Sequence, residues 1–180
     1  IYERNDVAIR ELEGMEQYKG FFPLEGYPIP DSTETTITEN GITYAVDFEN
    51  GQKTGFFLDQ KYNRLAVAKL SRGKRVFGLN AAKGGAEYVL SVDISESAVE
   101  MAQKNAKANG LDGKVEYLAA NVFDLLPKLS EGEMINRYGK FDFIILDPPA
   151  FTKSRQTVES AMRGYKEINL RAMRLLPRGG

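Results

Sequence analysis

The hexapeptide Leu-Asp-Pro-Pro-Ala-Phe at residues 146–151 carries the most specific chemistry in the chain. It follows FDFIIL, whose composition reads as a buried strand. Two consecutive prolines fix the backbone and remove two N–H donors, leaving carbonyls that point outward where the strand ends. A rigid set of acceptors, one carboxylate and an aromatic ring suit a flat heterocycle bearing an exocyclic amine. Asp147 and a carbonyl of Pro148 or Pro149 would take the amine hydrogens, and Phe151 would stack on the ring. The plainer alternative, a strand-terminating turn with Phe151 in the core, does not need Asp, Pro and Pro together.

Two other predicted strands end in a polar residue. Asp93 closes YVLSV, and Asn121 closes VEYLAA. In an open parallel sheet, ligands bind at the carboxyl ends of the strands. A carboxylate at the end of the second strand can accept hydrogen bonds from both ribose hydroxyls of an adenosine cofactor, which is the role read for Asp93; its alternative is helix capping with Ser95. Asn121 and Val122 would sit beside the adenine, the amide reading the ring edge and the apolar side chain covering its face. A helix cap is an equal reading for Asn121, and Ile94 is either a wall of that pocket or core. The first strand would bring Phe77 and Gly78 to the same edge. No G-x-G-x-x-G follows it and no Walker loop is present, which argues against dinucleotide and nucleoside triphosphate chemistry. S-adenosylmethionine, an adenosine cofactor without a pyrophosphate, fits what remains.

The elements that must position these residues follow from periodicity. Residues 33–58 contain Asn40-Gly41 and Asn50-Gly51 between strand-like runs, which predicts a three-stranded meander with Ile42, Tyr44, Val46 and Phe48 on one face. Three prolines between Phe22 and Asp31 make an irregular connector, and the first twenty residues stay open. The period then changes to about 3.6. Asp59 would cap a helix with Tyr62, Leu65, Ala66, the Lys69 stem and Leu70 inward and Gly73 at its stop, so a domain boundary falls near Leu58. Strands are predicted at 75–77, 88–93, 114–120 and 141–146. Helices are predicted from Ser95 to Asn109-Gly110, near 123–129, and from 157 to 176 with Ala161, Tyr165, Ile168, Ala172 and Leu175 as its stripe. Alternating strands and helices imply an α/β fold with a mostly parallel sheet covered on both faces.

Composition narrows the chemistry further. The 180 residues are 42% hydrophobic and 27% charged, ordinary values for a globular chain able to bury one sizeable core. There is no cysteine and no histidine, so disulfides, thiolate nucleophiles and the commonest metal ligands are absent, and no metal site is expected. No apolar run is long enough to span a membrane and the first residues lack a signal-peptide core, which makes a cytoplasmic location the expectation. The net charge of −1 is unevenly spread: −8 over residues 1–60, +6 over 61–75, −4 over 76–150 and +5 over 151–180. The two basic stretches flank the expected cofactor region, either to meet phosphates or as solvated helix faces.

Four segments, FENGQKTGFFLDQKYNR, SVDISESAVEMAQKNAKANGL, FDFIILDPPAFTKSR and GYKEINLRAMRLL, together resemble a family of class I S-adenosylmethionine-dependent methyltransferases. These enzymes modify cytosine at its 5-position in bacterial large-subunit ribosomal RNA. The likeness runs over nearly the whole chain. It implies a β-hairpin region at 1–58 and a Rossmann-like methyltransferase domain at 59–180, with an upstream RNA-binding PUA domain and further C-terminal strands not among these residues. By resemblance Asp93, Asn121 and Asp147 line the cofactor pocket, Asp147 also positioning the base, and Gln60 and Arg64 lie near the methionine end. Phe151 and the loop through Lys153 and Arg155 would face RNA. The implied activity is methyl transfer to a base of 23S ribosomal RNA, with ribosomal RNA as partner and a homodimer as an open option. Methylation of a purine amino group and a catalytically inactive RNA-binding module are the rival readings.

Two departures from the family pattern stand out. Its first strand normally continues through an Asp-aromatic-Thr-Gly-Gly-Phe loop into a helix, whereas only ten residues, 78–87, separate the first two strands here. A crossover needs a loop plus a helix of about ten residues, so about eight to ten residues are expected to be absent at Val76–Phe77. The family's catalytic cysteine, a thiolate that adds to the ring, has no counterpart among these residues.

Overall fold

The computed structural model describes residues 1–51, 55–77, 79–152 and 155–179, and it divides into two units, residues 1–62 and 63–180. In the first unit, β1 (Tyr2–Asn5) and β2 (Tyr18–Phe21) form an antiparallel pair joined through the short helix α1 (Ile9–Leu12). A second hairpin, β3 (Glu34–Glu39) and β4 (Ile42–Asp47), turns at Asn40 and Gly41, whose φ angles of 52° and 75° are those a two-residue turn of this hand requires. Tyr44 and Val46 are buried, and Tyr44 packs on Phe56 with ring centroids 4.9 Å apart. The two antiparallel pairs are tied together by Arg4, which donates to the carbonyls of Phe48 and Gly51 at 3.0 and 2.9 Å, and by edge-to-face contacts of Tyr2 and Phe21 with Phe48.

The expected third strand of the meander does not form among the described residues. After β4 the Asp47 carboxylate accepts the N–H groups of Glu49 and Asn50 at 2.9 and 3.0 Å, and the Asp47 carbonyl accepts that of Gly51. The side chain thus takes donors that a ladder would need, and the chain curls instead of extending.

The second unit holds a four-stranded, all-parallel sheet of β5 (Arg75–Phe77), β6 (Tyr88–Asp93), β7 (Val115–Ala119) and β8 (Phe143–Ile144), in the order β7-β6-β5-β8. That is the 3-2-1-4 order of the doubly wound Rossmann sheet. Alternation along the strands divides the core. Phe77 and Leu90 face one side, with Leu125, Leu126, Leu129, Phe141 and Ile168 from α4 (Val122–Lys128), its flank and α6 (Val158–Leu175). Val76, Val89 and Val115 face the other with Ala81, Ala82 and Ala86. Helix α3 (Glu96–Ala108) packs on β6 and β7, and Tyr117 of β7 donates to the Ala102 carbonyl at 3.1 Å.

Several boundaries differ from the sequence expectation. Asp59 does not cap a helix. It lies in a 3-10 turn, Leu58–Gln60, that leads into α2 (Lys61–Leu70). The predicted stripe of α2 is also rotated: Tyr62 is 76% and Leu70 59% exposed, while Leu65, Val67 and Ala68 are half-buried. Gly84 sets this rotation, because a Cβ there would lie 1.9 Å from the Ala68 carbonyl oxygen. Ser71, fully buried just beyond α2, donates back to the Val67 carbonyl. The crossover from β5 to β6 contains a 3-10 segment, Leu79–Gly84, instead of an α-helix. Strand β5 is continuous through Phe77, and Gly78 lies outside the described residues. Strand β8 is shorter than residues 141–146 because its neighbour β5 offers only three residues, the last bond running from the Ile145 N–H to the Phe77 carbonyl. Helix α5 (Gly132–Tyr138) was not expected.

Candidate cofactor and substrate site

Strands β6 and β7 end together, with Asp93 opposite Ala119 and the Ala120 N–H donating to the Asp93 carbonyl at 2.9 Å. Asp93 and Asn121 therefore emerge from adjacent strands at the carboxyl edge of the sheet. Asp93 is exposed. One carboxylate oxygen accepts the Ser95 N–H at 2.8 Å, and Ser95 in turn caps α3 by accepting from Ala98. The capping alternative and the ribose reading are compatible here, since the other carboxylate oxygen has no partner among the described residues and can still accept from a diol. Ile94, beside it, is 74% exposed, an apolar surface that the protein itself leaves bare at a polar edge.

Asn121 caps α4 with its amide oxygen, which accepts the Phe123 N–H at 3.0 Å. Its NH₂ group points away from that bond with no partner among the described residues. With one lone pair of its oxygen taken by the cap, the amide still offers its NH₂ donor, which suits a ring nitrogen of a purine. Val122 is half-buried against the core, so it contributes less open surface than expected. Phe77 corrects the sequence reading: it is 4% exposed and packs edge-to-face on Phe141 at 5.7 Å, so only its backbone can reach a ligand.

Asp147 is exposed beyond β8 without a partner among the described residues. Pro148 is half-buried, Pro149 is exposed, and among the described residues all peptide bonds are trans. Phe151 differs most from expectation. Its ring is half-buried between Phe123 of α4 and Tyr165 of α6, at centroid distances of 5.6 and 4.5 Å. Both rings hold it against the protein, so it anchors the loop more than it offers a stacking face. Tyr165, read from the sequence as a stripe residue, is 37% exposed and bonds to the loop. Its hydroxyl was the available signal, because a tyrosine on an apolar stripe has to place that group beside a partner.

The remaining expected residues are scattered over other elements. Gln60 lies in the 3-10 turn of the first unit, and Arg64 is half-buried on α2 in the second. Arg155 is exposed in a 3-10 turn, Arg155–Thr157, while Lys153, like Gly78, lies outside the described residues. Among the described residues no group of three or more acidic side chains could hold a metal ion, and no helix is long and apolar enough to cross a membrane.

A polar network that the sequence did not reveal occupies the opposite edge of the sheet. Glu116 of β7 accepts from Tyr88 at 2.9 Å, Arg137 at 2.6 Å and Tyr138 at 3.3 Å, while the Arg75 guanidinium lies over the Tyr88 ring. Burial pushes Glu116 upward, but the three donors and the Arg137 charge outweigh it and hold the carboxyl below its usual range. Burial and the same carboxylate raise Tyr88 and Tyr138. Tyr117 is pushed up to about 12 by burial and by Asp112.

The groups at the carboxyl edge fit an adenosine cofactor on this geometry: a carboxylate oxygen for the ribose, an outward amide donor for the base and an uncovered isoleucine for its face. The comparisons agree. "Ribosomal RNA large subunit methyltransferase I" of Aeromonas salmonicida is 44% identical over 191 residues, covering 100% of this chain and 46% of that protein. The protein of that name from Photobacterium profundum is also 44% identical, and that of Klebsiella pneumoniae 41%, with 46% and 45% of each covered. The chain spans about half the length of these curated relatives. A 191-position alignment to 180 residues leaves at least eleven positions that this chain does not fill. Among solved structures, one complexed with SAH is 28% identical with a TM-score of 0.61, covering 81% of this chain and 41% of that one. The SAM-dependent methyltransferase of Agrobacterium tumefaciens, 17% identical, shares the fold with a TM-score of 0.69 over 89% of this chain and 54% of its own. Residues 23–180 match the S-adenosylmethionine-dependent methyltransferase family, and with the strand order and the three polar strand ends above, the chain belongs to that family.

Proposed function

We propose that this chain is the cofactor- and base-positioning part of an enzyme that methylates a base of large-subunit ribosomal RNA, the 5-position of a 23S cytosine being the preferred acceptor. The observation that carries the reading is Asp147, exposed beyond β8 and followed by Pro148 and Pro149, at the same carboxyl edge of the parallel sheet where Asp93 and Asn121 follow β6 and β7. The relatives' names support RNA as the substrate. S-adenosylmethionine, when bound, supplies an electrophilic methyl group on a sulfonium. Asp93 accepts from its ribose, Asn121 donates to the adenine ring, Ile94 covers one face, and Arg64 and the backbone of Phe77 serve the methionine end. Asp147 and the prolyl carbonyls hold the extruded base by its amine hydrogens. Lys153 and Arg155 meet RNA phosphates.

These 180 residues contain no cysteine, so the thiolate that carbon methylation calls for is not supplied by them. The second reading is methylation of a purine amino group, which needs acceptors and no thiol. The eleven or more unfilled alignment positions are best placed at the β5–β6 crossover, where a 3-10 segment stands in for a loop and helix. Cytoplasmic action on ribosomal RNA follows from the same reading, and homodimer formation is testable by sedimentation. Mass spectrometry of ribosomal RNA from cells with and without the gene is the direct test. A lost 5-methylcytosine supports the first reading, a lost N-methylpurine supports the second, and an unchanged spectrum defeats both.

A further inference from the structure

The loop that presents Asp147 ends in a three-ring stack whose outer member does more than pack. Tyr165 lies on α6, 14 residues beyond Phe151. Its hydroxyl accepts the Phe151 N–H at 3.4 Å and donates to the Pro149 carbonyl at 3.4 Å, while its ring sits 4.5 Å from that of Phe151. One side chain therefore holds the loop by two backbone groups and one ring. The helix comes this close because residue 164 is glycine: a Cβ there would lie 3.2 Å from Phe151 Cδ2. The hydroxyls of Thr152 and Thr157 are hydrogen-bonded, which closes the same loop onto the start of α6.

We propose that Tyr165 is a positioning residue for the acceptor loop, an inference that rests on the base-binding reading of Asp147 and its prolines. By occupying one lone pair of the Pro149 carbonyl and pinning the Phe151 amide, it fixes the direction in which the carboxylate of Asp147 and the carbonyl of Pro148 face the substrate. Its ring is 37% exposed, so the side chain is not simply core filling. A core tyrosine would contribute stability alone. A positioning tyrosine contributes to turnover through the orientation of groups it does not itself replace, since a small misplacement of an acceptor costs rate steeply.

Tyr165→Phe in the full chain removes both hydroxyl bonds and keeps the ring stack, and Met162→Ala on an exposed site of α6 serves as the control. The substrate probe is total large-subunit ribosomal RNA from cells lacking the gene. For Tyr165→Phe the expected result is an about tenfold lower kcat with an unchanged Kd for S-adenosylmethionine, together with faster hydrogen exchange at the Phe151 amide. Met162→Ala is expected to match the parent in all three. A kcat and exchange rate within twofold of the parent in Tyr165→Phe overturns the proposal and leaves the proposed function standing. Equal losses of cofactor affinity and thermal stability would mark a merely structural role and also overturn it. A parent protein that neither binds S-adenosylmethionine nor transfers methyl to this RNA defeats the proposed function itself, and the positioning role with it.

Discussion

The amide of Ala120 donates to the carbonyl of Asp93 at 2.9 Å, and this one bond aligns the ends of β6 and β7 into a shared edge. Asp93 and Asn121, 28 positions apart in sequence, thereby lie next to each other on adjacent strand ends. Asp93→Ala is expected to weaken S-adenosylmethionine binding by about ten- to a hundredfold, as hydrogen bonds to a charged acceptor are lost. The side chain is exposed, so the melting temperature should change little. Isothermal calorimetry beside a thermal melt checks both, and an unchanged Kd removes Asp93 from the site.

Asn121 has two separable jobs. Asn121→Asp keeps an oxygen for the Phe123 N–H and loses the outward donor, whereas Asn121→Ala loses both. The first variant is expected to lose cofactor affinity at near-parent stability, and the second to lose about 1 kcal/mol of stability as well, the usual value of an N-cap. Urea titrations and cofactor calorimetry on the pair distinguish the roles. Equal cofactor affinity in Asn121→Asp and the parent would confine Asn121 to capping.

Gly84 is expected to tolerate no side chain. A methyl group there meets the Ala68 carbonyl oxygen at 1.9 Å, and both partners are backbone, so α2 must move off the crossover. Gly84→Ala should destabilise by about 2 kcal/mol or more, in the range of overpacked core sites. Denaturant unfolding measures it, and a variant as stable as the parent would show that α2 is not held at this contact.

Glu116 makes stability depend on pH with a definite sign. Its folded-state pKa is depressed by Tyr88, Arg137 and Tyr138, so its contribution is complete above the usual carboxylate range and is lost as pH falls through the folded value. Glu116→Gln should therefore be less stable than the parent at neutral pH, with the difference shrinking in acid. Melting temperatures of both proteins between about pH 7 and pH 3 test this. A constant difference across that window would mean that Glu116 acts by packing alone.

Much of this arrangement was legible in the chain because it depends on local chemistry. The strand-like runs at 75–77 and 88–93, the Ser95 cap and the polar residues ending YVLSV and VEYLAA are short-range signals, and the structure places each where its local rule says. The α/β class and the parallel sheet followed from the same periodicities. The fate of Asp47 was not legible in this way. Asn50-Gly51 reads as a hairpin turn until the Asp47 carboxylate takes the two N–H groups that turn would have needed free.

What the sequence by itself determined is the inventory of the parallel sheet: its four strands, the polar groups that follow them, and that these 180 residues hold no thiol or imidazole. The tertiary structure alone decided direction and proximity. Helical periodicity leaves open which side of α2 meets the sheet, and the Gly84–Ala68 contact settles it with Tyr62 and Leu70 outward. An aromatic after Asp-Pro-Pro can face substrate or core, and Phe123 and Tyr165, from two different helices, draw Phe151 inward. Both outcomes depend on partners far away in sequence, whose approach is set by close packing and not by any pattern a local window contains.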